Sequence, residues 1–172
     1  LRAGILAISL SLAAMLFYIW IRFEWQFSLG AVSALIHDVI ITLGIFSFLS
    51  YEINLSIVAA VLTIVGYSMN DTVVIFDRIR ENLKKYSKIS IAEISDVSTN
   101  ETLSRTLITS VTTLLALLSI YIFGGAILKG FSFAMIIGVI IGTYSSIFVA
   151  APILNYTKVS QKTILKENVE NN

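Results

Sequence analysis

Apolar residues along the chain fall into five long runs, broken by short polar interruptions. The runs cover about residues 3–23, 29–49, 57–76, 106–123 and 131–154. Each is long enough for a helix that crosses hydrocarbon, which takes roughly 20 mostly apolar residues. The interruptions at 24–28, 50–56 and 124–130 are short, so consecutive helices are expected to be antiparallel neighbours. The pattern predicts an all-α membrane protein, a five-helix transmembrane bundle over residues 1–155 followed by a tail over 156–172. One connection, 77–105, is long and charged. Its first part, 77–88, sets Ile79, Leu83 and Tyr86 at helical spacing and is expected to continue the third helix beyond the membrane. Its second part, 89–103, carries Ile91, Ile94, Val97 and Leu103 in a weak apolar stripe. That stripe predicts a short separate interfacial helix, with a solvated loop as the alternative.

Composition agrees with the pattern. Of 172 residues, 56% are apolar and 13% charged, where a soluble domain averages roughly 25% charged. Mean hydropathy is +0.86. A net charge of +1 leaves no electrostatic footprint for nucleic acid. With no cysteine and a single histidine, disulfides, thiolate sites and multi-histidine metal sites are excluded, and no cofactor is expected.

The positions of the cations orient the bundle. The 77–105 connection carries Arg78, Arg80, Lys84, Lys85, Lys88 and Arg105, and the tail carries Lys158, Lys162 and Lys166. Two helices separate these segments, so both lie on one side, and Arg22 falls there too. The positive-inside rule makes that side cytoplasmic and the N-terminus extracytoplasmic. The chain opens on Leu1 without the pattern of a signal peptide. An outside N-terminus therefore creates the expectation of a preceding helix and extracytoplasmic domain in the full protein.

Two helices carry small residues at every fourth position, the spacing that lets backbones approach in lipid. These are Gly30, Ala34, Asp38 and Thr42 on the second, and Ala134, Gly138, Gly142, Ser146 and Ala150 on the fifth. An ionised group inside hydrocarbon costs at least about 3 kcal/mol, and Asp38, Asp71 and Arg105 bear or approach that cost. Asp71, near the charged end of the third helix, and Arg105, at the start of the fourth apolar run, are at compatible depths. A carboxylate whose cationic partner comes and goes is a proton carrier. Asn70 adjoins Asp71, and Tyr67 and Thr63 lie one and two turns back on a similar face, while Arg105, Thr109, Thr112 and Ala116 share a helix face, with Ser110 and Thr113 close by. Such polar stripes are able to hold water, or simply to cross-link helices. Asp38 is either a supporting member of the pathway or a protonated structural acid. Its neighbour His37 belongs to the residue type that changes charge near neutral pH, or is a packed, hydrogen-bonded ring.

Val65-Gly-Tyr-Ser-Met-Asn-Asp-Thr-Val-Val-Ile-Phe-Asp-Arg-Ile-Arg-Glu-Asn82 resembles the signature of the protein-export membrane protein SecF, of the SecD/SecF family. Ala34-Leu-Ile-His-Asp-Val-Ile-Ile-Thr42 and Thr102-Leu-Ser-Arg-Thr-Leu-Ile-Thr-Ser110 agree, as do the turns Phe123-Gly-Gly125 and Gly130-Phe-Ser132. The resemblance covers about residues 1–155. It implies half of an RND-like transporter bundle in the bacterial inner membrane, working with SecD beside the SecYEG channel. It further implies use of the proton-motive force on an exported preprotein, with Asp71 as the proton-pathway acid and Arg105 as its paired cation. No enzymatic activity is implied. Two other readings remain open. Asp38 and Asp71 on separate spans are the minimum for an intramembrane aspartyl protease, although Gly66-Tyr-Ser-Met-Asn-Asp71 lacks the Gly-x-Gly-Asp form of one such family. A small-solute efflux component is the other.

Overall fold

The computed structural model describes residues 2–51, 54–86, 89–157 and 159. Among these, every long element is a helix: α1 (Arg2–Arg22), α2 (Trp25–Phe48), α3 (Leu55–Lys85), α4 (Ile91–Phe123) and α5 (Gly125–Ser145). A π-helical turn (Ser146–Ala150) and α6 (Ala151–Tyr156) prolong α5. Five helical rods are long and apolar enough to cross a membrane.

Local chemistry sets where the helices start. Asn54 caps α3, its side-chain oxygen accepting from the Ile57 amide at 3.1 Å. Ser90 and Glu93 form a reciprocal capping box at the start of α4, the arrangement that satisfies two otherwise unpaired amides. From that box to Phe123 the sequence holds neither glycine nor proline. Nothing breaks the helix, so the expected interfacial helix is not a separate element. Its residues are helical, but they run without interruption into the fourth span, and Arg105 lies well inside α4 instead of at its start. The α4–α5 connection is likewise tighter than 124–130. Gly125, at φ +74°, turns the chain in a conformation that side chains resist, and α5 begins there.

α3 is the central rod. Half of its most apolar stretch is buried inside the bundle, against 6% for α1. It runs parallel to α5 and antiparallel to α2 and α4. The small-residue stripes face inward: Gly30, Ala34, Asp38 and Thr42 are all buried, as are Ala134, Gly138, Gly142, Ser146 and Ala150. A methyl group on Gly142 would meet Ser68 Cβ at 3.0 Å, and one on Gly30 would meet the Ala150 carbonyl oxygen at 2.9 Å. These contacts let α3 and α2 close on the α5 rod.

At the charged end, the rings of Phe23, Phe27 and Phe76 pack in tilted and edge-to-face pairs, 5.2–6.1 Å between centroids. Two ion pairs cover this wedge: Arg22 with Asp77 at 3.3 Å and Arg80 with Glu24 at 3.0 Å. Lys88, Lys158, Lys162 and Lys166 lie outside the described residues, as does most of the 156–172 tail.

Candidate functional site

Asp71 sits on the inner face of α3 and is 4% exposed. Its Oδ2 is buried without a hydrogen-bond partner among the described residues. Arg105 is the cation whose field reaches it, yet no ion pair within 4 Å joins them among the described residues. Arg105 is exposed and lines a groove of about 360 Å³ with Val74, Asp77, Arg78, Glu81, Glu101 and Thr102. The acids of that groove are already engaged: Asp77 by Arg22, Glu101 by Arg78 at 2.6 Å and by Asn82 at 2.8 Å. Arg105 is thus held beside acids that other cations neutralise, within electrostatic reach of a carboxyl that has an unfilled acceptor.

The inner face of α4 differs from the expected one. Ser98, Thr102, Thr106 and Ser110, every fourth residue, are buried. The stripe of Arg105, Thr109 and Thr112 is rotated away from that buried face. Thr109 Oγ1 donates to the carbonyls of Arg105 and Thr106 at 3.0 and 2.9 Å, and Thr112 likewise donates back to Ile108 and Thr109. These hydroxyls satisfy themselves on their own helix, so Thr109 makes no bond to Asp71. On α3, Thr63 turns back to the Ala59 carbonyl and Asn70 is exposed. Buried Tyr67 Oη and Thr106 Oγ1 have no partner among the described residues. These two hydroxyls and Asp71 Oδ2 are buried polar atoms on α3 and α4 that lack a hydrogen-bond partner among the described residues.

Asp38 is more deeply set. It is 0% exposed, and three side chains converge on it. Ser68 Oγ and Ser145 Oγ donate to Oδ2 at 2.5 and 2.8 Å, and His37 Nδ1 lies 3.0 Å from Oδ1. The carboxyl therefore ties α2 to α3 and α5. Ser68 precedes Asp71 by three residues, about one turn on α3, so the two acids stand at neighbouring levels. No hydrogen bond joins their carboxyls among the described residues, and the shared proton of an aspartyl protease dyad would need one. Sequence reasoning passed over Ser68 and Ser145. Ser145 opens the π turn, and Ser68 faces Gly142; an inward small-residue face was the available signal.

Five apolar helices enclosing two buried carboxylates define an integral, multi-pass membrane protein. The family model of the protein export membrane protein SecD/SecF, C-terminal, matches residues 1–160, and the chain belongs to that family. It is 52% identical over 161 residues to the protein translocase subunit SecF of Cereibacter sphaeroides, covering 94% of this chain and 50% of that protein. It is 58% identical over 154 residues to the subunit of the same name from Rickettsia bellii, covering 90% and 51%. The crystal structure of SecDF, a translocon-associated membrane protein from Thermus thermophilus, superposes with a TM-score of 0.88 at 43% identity. That match covers 91% of this chain and 22% of the other. The chain spans about half the length of the curated relatives it matches.

Proposed function

We propose that this bundle is the membrane part of an accessory subunit of the Sec protein translocase, coupling proton movement to export of preproteins. In this reading it pairs with SecD beside SecYEG in the bacterial inner membrane, with its first residue outside and the 77–105 segment in the cytoplasm. It acts by conformational change and catalyses no covalent chemistry. The family membership and the names of its relatives support the translocase role.

The single observation that carries the coupling mechanism is Asp71 Oδ2, a buried carboxylate oxygen with no hydrogen-bond partner among the described residues, within the field of Arg105. An ionised Asp71 favours drawing the Arg105 guanidinium inward. A protonated Asp71 releases it to the groove it shares with Glu101 and Glu81. Each proton cycle then moves α3 against α4, the two helices that carry these groups. A low-dielectric setting makes this exchange worth far more than it is in water.

The test uses full-length protein with its partner subunit in inner-membrane vesicles. Asp71→Asn and Arg105→Met are each expected to reduce proton-gradient-dependent export by about tenfold or more, an effect of about 1.4 kcal/mol or more on the coupled step. Assembly with the partner should be unchanged. Export at the parental rate by both variants sinks the mechanism.

A further inference from the structure

A groove of about 660 Å³ lies between the first half of α4 and the end of the α5–α6 rod. Neither Asp71 nor Arg105 lines it. Its lining changes character along its length. At one end stand Ser95, Asp96, Thr99 and Asn100 of α4 and Asn155 of α6. Farther in stand Leu103 and Leu107 of α4, faced by Ile140, Tyr144, Ile147 and Phe148. The change falls where a bilayer changes. Counting back about 20 residues from Phe123, the end of α4, puts the hydrocarbon boundary near Leu103. The polar end therefore lies among headgroups and the apolar end among acyl chains.

The groove is also one leaflet long. At 1.5 Å per residue, Ser95 to Leu107 is about 18 Å of α4, and Ile140 to Asn155 is about 22 Å of the facing rod. Half of a bilayer with its headgroups measures about 20–22 Å. A spanning helix of another subunit packs along both leaflets, whereas no residue of α4 beyond Leu107 lines this groove. Toward its deep end Thr143 is joined to Ser110 at 2.7 Å, which draws α4 and α5 together there. One wall is aromatic. Tyr144 is braced between His37 and Phe148, 6.5 and 5.0 Å away between centroids.

Charge selects among lipids. Asp96 is the one charged side chain lining the groove among the described residues, and it belongs to none of the ion pairs formed there. An anionic headgroup would meet a carboxylate and no cation. A primary ammonium supplies the opposite charge and donates charge-assisted hydrogen bonds to it. The amides of Asn100 and Asn155 and the hydroxyls of Ser95 and Thr99 have donors for the phosphate beside that ammonium.

We propose that this groove binds one phospholipid with a zwitterionic, primary-amine headgroup, from the leaflet at the charged end of the bundle. The ammonium pairs with Asp96, the phosphate lies against Thr99 and Asn100, and an acyl chain lies on Leu103, Leu107 and the Tyr144–Phe148 wall. The lipid fills the seam between α4 and the α5–α6 rod. The site uses neither Asp71 nor Arg105, so it stands apart from the export mechanism.

The experiment places full-length protein with its partner subunit in phosphatidylcholine vesicles containing a trace of phosphatidylethanolamine with a photoreactive group in one acyl chain. Adducts are mapped by peptide mass spectrometry. They should concentrate on residues 103–107 and 140–148. Unlabelled phosphatidylethanolamine should suppress them, and phosphatidylglycerol should not. Asp96→Asn should lower the yield there severalfold, and Leu107→Trp, which fills the groove, should do the same. Both side chains are exposed, so neither change disturbs the packed interior. Adducts spread evenly over the lipid-facing helices, equal suppression by phosphatidylglycerol, or a yield that Asp96→Asn leaves unchanged overturns the proposal. So does a groove free of adducts while α1 is labelled, which would mean that protein covers it. Asp71→Asn should leave the adduct pattern in place, so failure of the export mechanism and failure of this site give different results.

Discussion

Asp38 and Asp71 occupy adjacent helices at neighbouring depths, and hydrogen bonding sets them apart. Asp38 has a polar side chain against each oxygen, whereas Asp71 Oδ2 has no hydrogen-bond partner among the described residues. A satisfied polar group in lipid holds helices together, each such bond contributing roughly 0.6 kcal/mol and at most about 1.7. An orphaned one costs about 1–3 kcal/mol. In thermal unfolding of the intact protein in detergent, Ser68→Ala combined with Ser145→Ala should therefore lower the midpoint, whereas Asp71→Asn should leave it unchanged or raise it. The opposite order would mean that Asp71 is the structural acid. The conspicuous half of this arrangement was legible in the sequence, because a charge within an apolar run stands out. Ser68 and Ser145 were not. Most hydroxyls in the spans turn back on their own helix, as Thr63, Thr109, Thr112 and Ser119 do, and periodicity does not mark the exceptions. The face of α4 was misjudged for a related reason. Arg105 drew the polar stripe to itself, while the inward side is the small hydroxyl row from Ser98 to Ser110.

Among the elements, the α3–α5 pair is fixed by glycine. A methyl group added at Gly138 would overlap the Ile64 side chain. Overpacking of this kind costs typically about 1–3 kcal/mol. Gly138→Ala should lower the unfolding midpoint accordingly, and a second change, Ile64→Ala, should recover part of the loss by vacating the space. An additive double variant would show that the two residues do not share that contact. Both small-residue stripes were readable from spacing alone, because close helix approach in lipid demands small side chains every fourth position. The merging of the interfacial segment with the fourth span was not. A weak apolar stripe in 89–103 looks like a surface helix, and only the lack of any breaker up to Phe123 distinguishes the continuous rod.

For the whole molecule, the five runs and their antiparallel succession could be drawn from hydropathy, but which helix lies at the centre could not. α1 and α3 are both apolar, yet α1 shows Leu6, Leu10, Phe17 and Trp20 at the surface, a face open to lipid or to another subunit. The proposed orientation yields a direct measurement, helped by the absence of cysteine from this chain. Single cysteines at Asn100 and Ile127, in a full-length protein cleared of other thiols, should react with a membrane-impermeant maleimide from opposite sides: Asn100→Cys from the cytoplasm, Ile127→Cys from outside. Labelling of both from one side would overturn the five-span topology.

The unbroken length of α4 has a mechanical consequence. Its 33 residues amount to about 50 Å of rod, against a hydrocarbon core of about 30 Å. The overhang is lashed to that of α3 by Asn82 on Ser98 at 2.9 Å and by Arg78 on Glu101 at 2.6 Å. The two projecting ends are therefore tied together as one boom, so that a tilt about Arg105 would move them together. A tilt of about 5° there carries the tip at Ile91 through about 2 Å, given the 1.5 Å rise per residue. In the proposed mechanism, a small charge rearrangement at Asp71 and Arg105 would thereby be delivered, enlarged, to whatever touches the boom.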